Sequence, residues 1–195
     1  MRRIKGFTLI EVALVLAIAG LIFMMVFITL PTVWANQRDS ARRDDMLTLV
    51  QRLKNFQSNN NRGALPSMNN ATSLEVTRSN SQYYANTKDT WFAFYYDYLD
   101  QAFKDPAGND YRLEIGYCSK KASSAYTDIL DYMDKECDSK YGAEINKPPK
   151  YPNDEKVYVL IGAKCEGEKA VGSANIRKVA VLYKLEGGGV YCGES

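Results

Sequence analysis

Residues 7–30 form an apolar run with a single ionisable side chain, Glu11, and a basic leader carrying Arg2, Arg3 and Lys5 and ending in Gly6 precedes it. A carboxylate near the end of a lipid-facing helix costs on the order of 2 to 3 kcal/mol or more, and such residues usually mark function. Glu11 therefore requires a partner. The other reactive groups are Cys118, Cys137, Cys165 and Cys192, an even set suited to two disulfides in an oxidising compartment. Four cysteines allow three connectivities. Cys118–Cys137 with Cys165–Cys192 is favoured because each pair brackets a plausible local unit. No pair is spaced as Cys-x-x-Cys, and the chain has no histidine, so it offers no common zinc site and lacks the usual general base. No nucleophile elbow, phosphate loop or dinucleotide fingerprint occurs, and Asp44 with Asp45 and Asp131 with Asp134 read as solvated helix faces. The composition thus points away from an enzyme and from any cofactor.

The segment Lys5-Gly-Phe-Thr-Leu-Ile-Glu11, followed by the apolar run, resembles the type IV prepilin signature. That resemblance implies cleavage after Gly6 by a prepilin peptidase, methylation of the new terminus at Phe7, and a filament register set by Glu11. Cleavage would leave an α-amine on Phe7 that is cationic below a pKa of roughly 8. In a staggered stack of subunits, Glu11 of one chain can meet that amine on its neighbour, so a charge costly in lipid becomes paired. The alternative is a secretory signal with a cleavage site at Val33-Trp-Ala35, but its apolar region would usually run about 7 to 15 residues and would not carry a glutamate. A second resemblance lies at Asp105-Pro106, Gly108 and Tyr111, which match the Asp-Pro-x-Gly-x-x-Tyr turn before the first sheet strand of many pilins and pseudopilins. Pro106 presets one backbone angle and Gly108 accepts positive φ. The turn carries two or three oxygen donors where calcium takes 6 to 8.

These residues need particular elements to position them. At about 1.5 Å per residue, a helix over residues 7–30 spans roughly 36 Å and can cross a bilayer core of about 30 Å. The leader's positive charge holds the N-terminus in the cytoplasm and sends the rest of the chain across. Met46, Leu49, Val50, Leu53 and Phe56 continue at helical spacing, which predicts one helix from Phe7 to about Phe56 whose second half packs on a sheet. Gly20 and Pro31 are its weak points, and both a kink and, by resemblance, local melting in the filament are open there. Trp91, Phe94, Tyr95, Tyr98 and Leu99 predict a helix with an aromatic stripe. A stripe of this kind serves core or subunit packing, the favoured use, or a carbohydrate-binding face.

Residues 57–87 read as a loop with at most short elements, and the sequon Asn70-Ala-Thr72 lies in it. Residues 111–117 alternate as a strand, 123–137 read as a short helix, and 147–152 as a breaker. Strands are expected over 156–164, 176–185 and 190–192, with Gly187-Gly-Gly189 as a turn.

The expected fold is α+β: a pilin fold with a long N-terminal helix, its apolar half protruding, packed on a C-terminal antiparallel β-sheet. Its parts are a leader (1–6), a transmembrane and filament-core half-helix (7–30), an amphipathic half-helix (31–56) and a head with two disulfides (57–195). Loss of the leader reduces 25 basic residues to 22 against 23 acidic ones, so the head offers no global field for nucleic acid. Arg38, Arg42 and Arg43 are the candidate contacts to nucleic acid in an uptake filament, but Asp44 and Asp45 follow them, which favours subunit contacts. The function implied is a structural subunit of a type IV pilus, with motility, adhesion and DNA uptake all open. A pseudopilin of a type II secretion system is one alternative, and a secreted or membrane-anchored adhesin domain that does not polymerise is another. Implied partners are copies of the chain itself, the prepilin peptidase and methyltransferase, the inner-membrane assembly machinery, and the membrane before assembly. The precursor would reside in the inner or cytoplasmic membrane and the assembled chain outside the cell.

Overall fold

The computed structural model describes residues 6–59, 63–68, 73–84, 86–99, 103–118 and 155–195. Its dominant element is α1, Leu9–Asn59, 51 residues long and about 75 Å at 1.5 Å per residue. Among the described residues this helix alone is long and apolar enough to cross a membrane, and none of its apolar window is buried against the rest of the chain. The second half behaves differently. Asp39, Arg42, Met46, Leu49, Val50, Leu53 and Phe56 are buried, one face repeating every three or four residues.

That face packs against a mixed sheet of five strands in the order β1 (Ser73–Val76), β2 (Arg112–Tyr117), β3 (Lys156–Ile161), β6 (Val179–Lys184) and β7 (Val190–Glu194). All neighbours are antiparallel except β2 and β3, which run parallel with Leu113 opposite Val157 and Ile115 opposite Val159. A parallel pair needs a long crossover, and 38 residues separate Tyr117 from Lys156. The expected helix at 123–137 and breaker at 147–152 fall there, outside the described residues.

Alternation sorts the central strands onto two cores. Val157, Val159 and Ile161 of β3 join Val179, Val181 and Tyr183 of β6 on the α1 side. Tyr158 and Leu160 join Ala180 and Leu182 on the opposite side, covered by Ala163 and Ala170 of a small hairpin, β4 (Ala163–Glu166) and β5 (Lys169–Gly172). Burial on both faces explains why β3 and β6 read as unbroken apolar runs. The strand expected over 156–164 is broken at Gly162, whose φ of 75° turns the chain from the large sheet into the hairpin. A disulfide joins Cys165 of β4 to Cys192 of β7, with Cα atoms 5.8 Å apart, and ties the hairpin to the sheet edge.

Residues 57–87 contain the short elements β1 and α2 (Arg78–Tyr84). The aromatic helix α3 is Trp91–Tyr98, capped by Thr90, whose hydroxyl accepts from the Ala93 N–H at 3.3 Å. Trp91, Phe94, Tyr95 and Leu99 are buried, and Phe56 of α1 meets the rings of Phe94 and Tyr98 edge-on at 5.7 and 5.3 Å. The stripe is core.

Candidate functional site

Two sites are built on α1, one at each end of its exposed half. At the N-terminus, Thr8 and Glu11 form a reciprocal capping box. The Thr8 N–H and hydroxyl each donate to Glu11 Oε2 at 2.9 Å, and the Glu11 N–H is 3.4 Å from the Thr8 hydroxyl oxygen that accepts it. Glu11 also lies in the first turn, where the helix dipole favours negative charge. The carboxylate thus has donors inside its own chain, and both bonds fall on one oxygen, leaving Oε1 for an external donor. Phe7 is 87% exposed, and among the described residues nothing lies within 4 Å of a Cβ placed on Gly6. The sequence Thr8-Leu-Ile-Glu11 carries the signal for this box, so Glu11 has a first partner in its own chain as well as any on a neighbour.

Gly20 and Pro31 lie inside an α1 that is continuous through both. Pro31 has no N–H for the carbonyl of Phe27, and the neighbouring turns bring side-chain donors to nearby carbonyls. The Thr29 hydroxyl is 3.2 Å from the carbonyls of both Met25 and Val26, and the Thr32 hydroxyl donates to the Thr29 carbonyl at 2.7 Å. Gly20 has no atom within 4 Å of an added Cβ.

Where α1 enters the head, Arg42 is the centre of an ionic latch. Its Nε donates to Asp105 Oδ1 at 2.6 Å, and its Nη1 reaches Asp39 Oδ1 at 3.2 Å and Glu186 Oε2 at 3.1 Å. Asp39 also accepts the N–H groups of Glu186 and Gly187 at 2.8 and 2.7 Å, so one helix residue clasps the β6–β7 turn. Arg38 Nε donates to Glu186 Oε2 at 2.8 Å. Asp105 sits in the proline–glycine turn, where its Oδ2 accepts the Ala107 N–H at 2.8 Å and Gly108 has a φ of 90°.

Burial pushes the Arg42 guanidinium down, but its bonds to Asp105 and Asp39 outweigh this and hold it above the usual range. Glu186 is lowered to about 2, chiefly by its hydrogen bond from Arg38. The Tyr111 hydroxyl donates to Asp45 Oδ2 at 2.9 Å, and the Tyr183 hydroxyl donates to Glu155. Burial, and then these carboxylates, raise both phenols.

This arrangement corrects the sequence expectation for Arg42 and, in part, for Arg38: both guanidinium groups pair with carboxylates of their own head, while Arg43 is exposed. Asp45 is tied to Tyr111 and is not a solvated face. The physical reason is geometric: Asp39 and Arg42 continue the buried face of Met46, Leu49 and Leu53, so they must point inward. Cys165 and Cys192 are brought together, Cys118 is buried just after β2, and Cys137 and the sequon at Asn70 lie outside the described residues. Among the described residues, no group of three metal-ligating side chains is arranged to hold a metal ion.

A long N-terminal helix, bare over its first half and carrying a glutamate in its first turn, set on a sheet-bearing head, is the α+β architecture expected of a pilin fold. Residues 1–27 match the family described as the prokaryotic N-terminal methylation motif, which is the type IV pilin and prepilin signature. The match covers the leader and the start of α1 and none of the head. No curated protein and no solved structure matches the chain.

Proposed function

We propose that this chain is a structural subunit of a type IV pilus, cleaved after Gly6, N-methylated at Phe7 and polymerised through the apolar half of α1. The observation that carries the reading is the bareness of that half: Leu9, Ile10, Leu21, Phe23, Phe27 and Ile28 are each at least 65% exposed. A helix apolar on all sides suits lipid first and then copies of itself, since neither environment offers water. Burial of that surface drives assembly, and Glu11 fixes the axial register by meeting the Phe7 amine of a neighbour. The capping box supports this order of events, because it keeps the carboxylate bonded while no neighbour is present.

The membrane is the precursor's environment and the cell exterior is the filament's. The peptidase, the methyltransferase and the inner-membrane assembly machinery are the partners this route requires. Electron microscopy of cells expressing the chain, with the head labelled by antibody, tests the proposal. Labelled surface filaments that vanish on deletion of the chain are expected. A label confined to the membrane under conditions where the leader is removed would refute it.

A further inference from the structure

Trp34 stands where α1 changes surface. It follows the apolar run and Val33, precedes Asn36, Gln37, Arg38 and Asp39, and is 56% exposed. Among the described residues its indole N–H has no hydrogen-bond partner and its ring meets no other ring. An exposed indole has an apolar body and one donor, which suits the boundary between hydrocarbon and water. Trp91, by contrast, is fully buried in the core of the head.

Length places Trp34 at that boundary. Leu9 to Trp34 spans about 37 Å at 1.5 Å per residue, against about 30 Å for a hydrocarbon core and about 40 to 45 Å with the headgroup layers. A helix centred in the bilayer thus carries Trp34 past the hydrocarbon and into the outer headgroup layer.

The head begins immediately above it. Arg38 lies one turn after Trp34 and pairs with Glu186, and Asn36 Oδ1 is 3.7 Å from a Cβ placed on Gly187. Asn36 is about 3 Å from Trp34 along the helix axis, and each headgroup layer is about 5 to 7 Å deep. The Gly187–Gly189 turn therefore falls in the same layer as the indole. All three glycines are exposed, so the turn enters that layer without burying a side chain. The Glu168 carboxylate reaches Gly189 from the β4–β5 turn, and a headgroup layer, unlike hydrocarbon, solvates it.

We propose that in the membrane-bound precursor Trp34 and the Gly187–Gly189 turn lie together in the outer headgroup layer, the indole setting the depth of α1 and the head resting on the lipid surface. This rests on the membrane stage of the proposed function. The test uses the full chain in phosphatidylcholine bicelles containing a nitroxide lipid labelled at the headgroup or at the chain end, and reads line broadening by NMR. The chain-end label should broaden the Gly20 amide, and the headgroup label the Trp34 indole and the Gly187, Gly188 and Gly189 amides. Neither should reach the Trp91 indole or the Gly63 amide, which lies beyond the far end of α1. Trp34→Ala should roughly halve the broadening of the turn and leave the melting midpoint unchanged, because the ring is exposed. An unbroadened Gly20 overturns the membrane stage itself and the proposal with it. With Gly20 broadened, the proposal alone is overturned if Trp34 responds chiefly to the chain-end label or to neither, if the turn responds no more than Gly63, or if Trp34→Ala leaves the turn as it was.

Discussion

The two halves of α1 share one backbone and have opposite surfaces. From Leu9 to Pro31 the helix is apolar on every side and touches almost nothing, whereas from Asp39 to Phe56 a single face is buried and the rest is polar. The polar half has a partner within the chain and is specified down to individual ion pairs. Among the described residues the apolar half has none, and its side-chain hydrogen bonds are the capping box and those of the threonine hydroxyls near Pro31. The polar half finds its partner in the head, and on the proposed function the apolar half finds its partner in lipid or in another copy. The latch at Arg42 marks the boundary between them.

Substitutions on the two sides of that boundary should fail in different ways. The largest effect is expected from Glu11→Ala, which should abolish or severely reduce filaments while cleavage after Gly6 and the stability of the head stay intact; immunoblots for processing beside filament yields measure this. Arg42→Ala should do the reverse first, destabilising the head by about 3 to 5 kcal/mol because it strands the buried carboxylate of Asp105. Urea unfolding of the detergent-solubilised chain reports it, and a loss below about 1 kcal/mol would mean that the latch does not hold the head to the helix.

Replacing Cys165 and Cys192 together by serine removes a cross-link with a sequence separation of 27 and should cost about 3 kcal/mol, again within the head. The smallest effect is one of pH. Glu186 is lowered from 4.5 to about 2 in the folded chain, so its contribution is complete above about pH 4.5 and disappears as pH falls through about 2. The pair with Arg38 is over a third exposed and screened, so Glu186→Gln should only slightly flatten the melting midpoint between pH 5 and pH 2.

Much of this division is legible in the sequence. An uninterrupted apolar run followed by Met46, Leu49, Val50, Leu53 and Phe56 announces a helix that changes character partway, and the spacing of Trp91, Phe94, Tyr95 and Leu99 announces a buried stripe. The latch is not legible in the same way, because Arg42 lies 63 residues from Asp105 and 144 from Glu186, and nothing local pairs them. What could be read is that Asp39 and Arg42 extend the buried face at spacings of three and four, so they would need partners inside the head. The β4–β5 hairpin escaped because residues 156–164 look like one strand, and only the positive φ at Gly162 splits them.

On the proposed function, the exposed half of α1 begins, in the mature subunit, at a methylated Phe7 that Glu11 of a neighbour can reach. Mass spectrometry of filaments sheared from the cell surface tests this most directly. A terminal peptide starting with N-methyl-Phe7 is expected. A mature chain starting at Asn36, without the apolar half-helix, would contradict it.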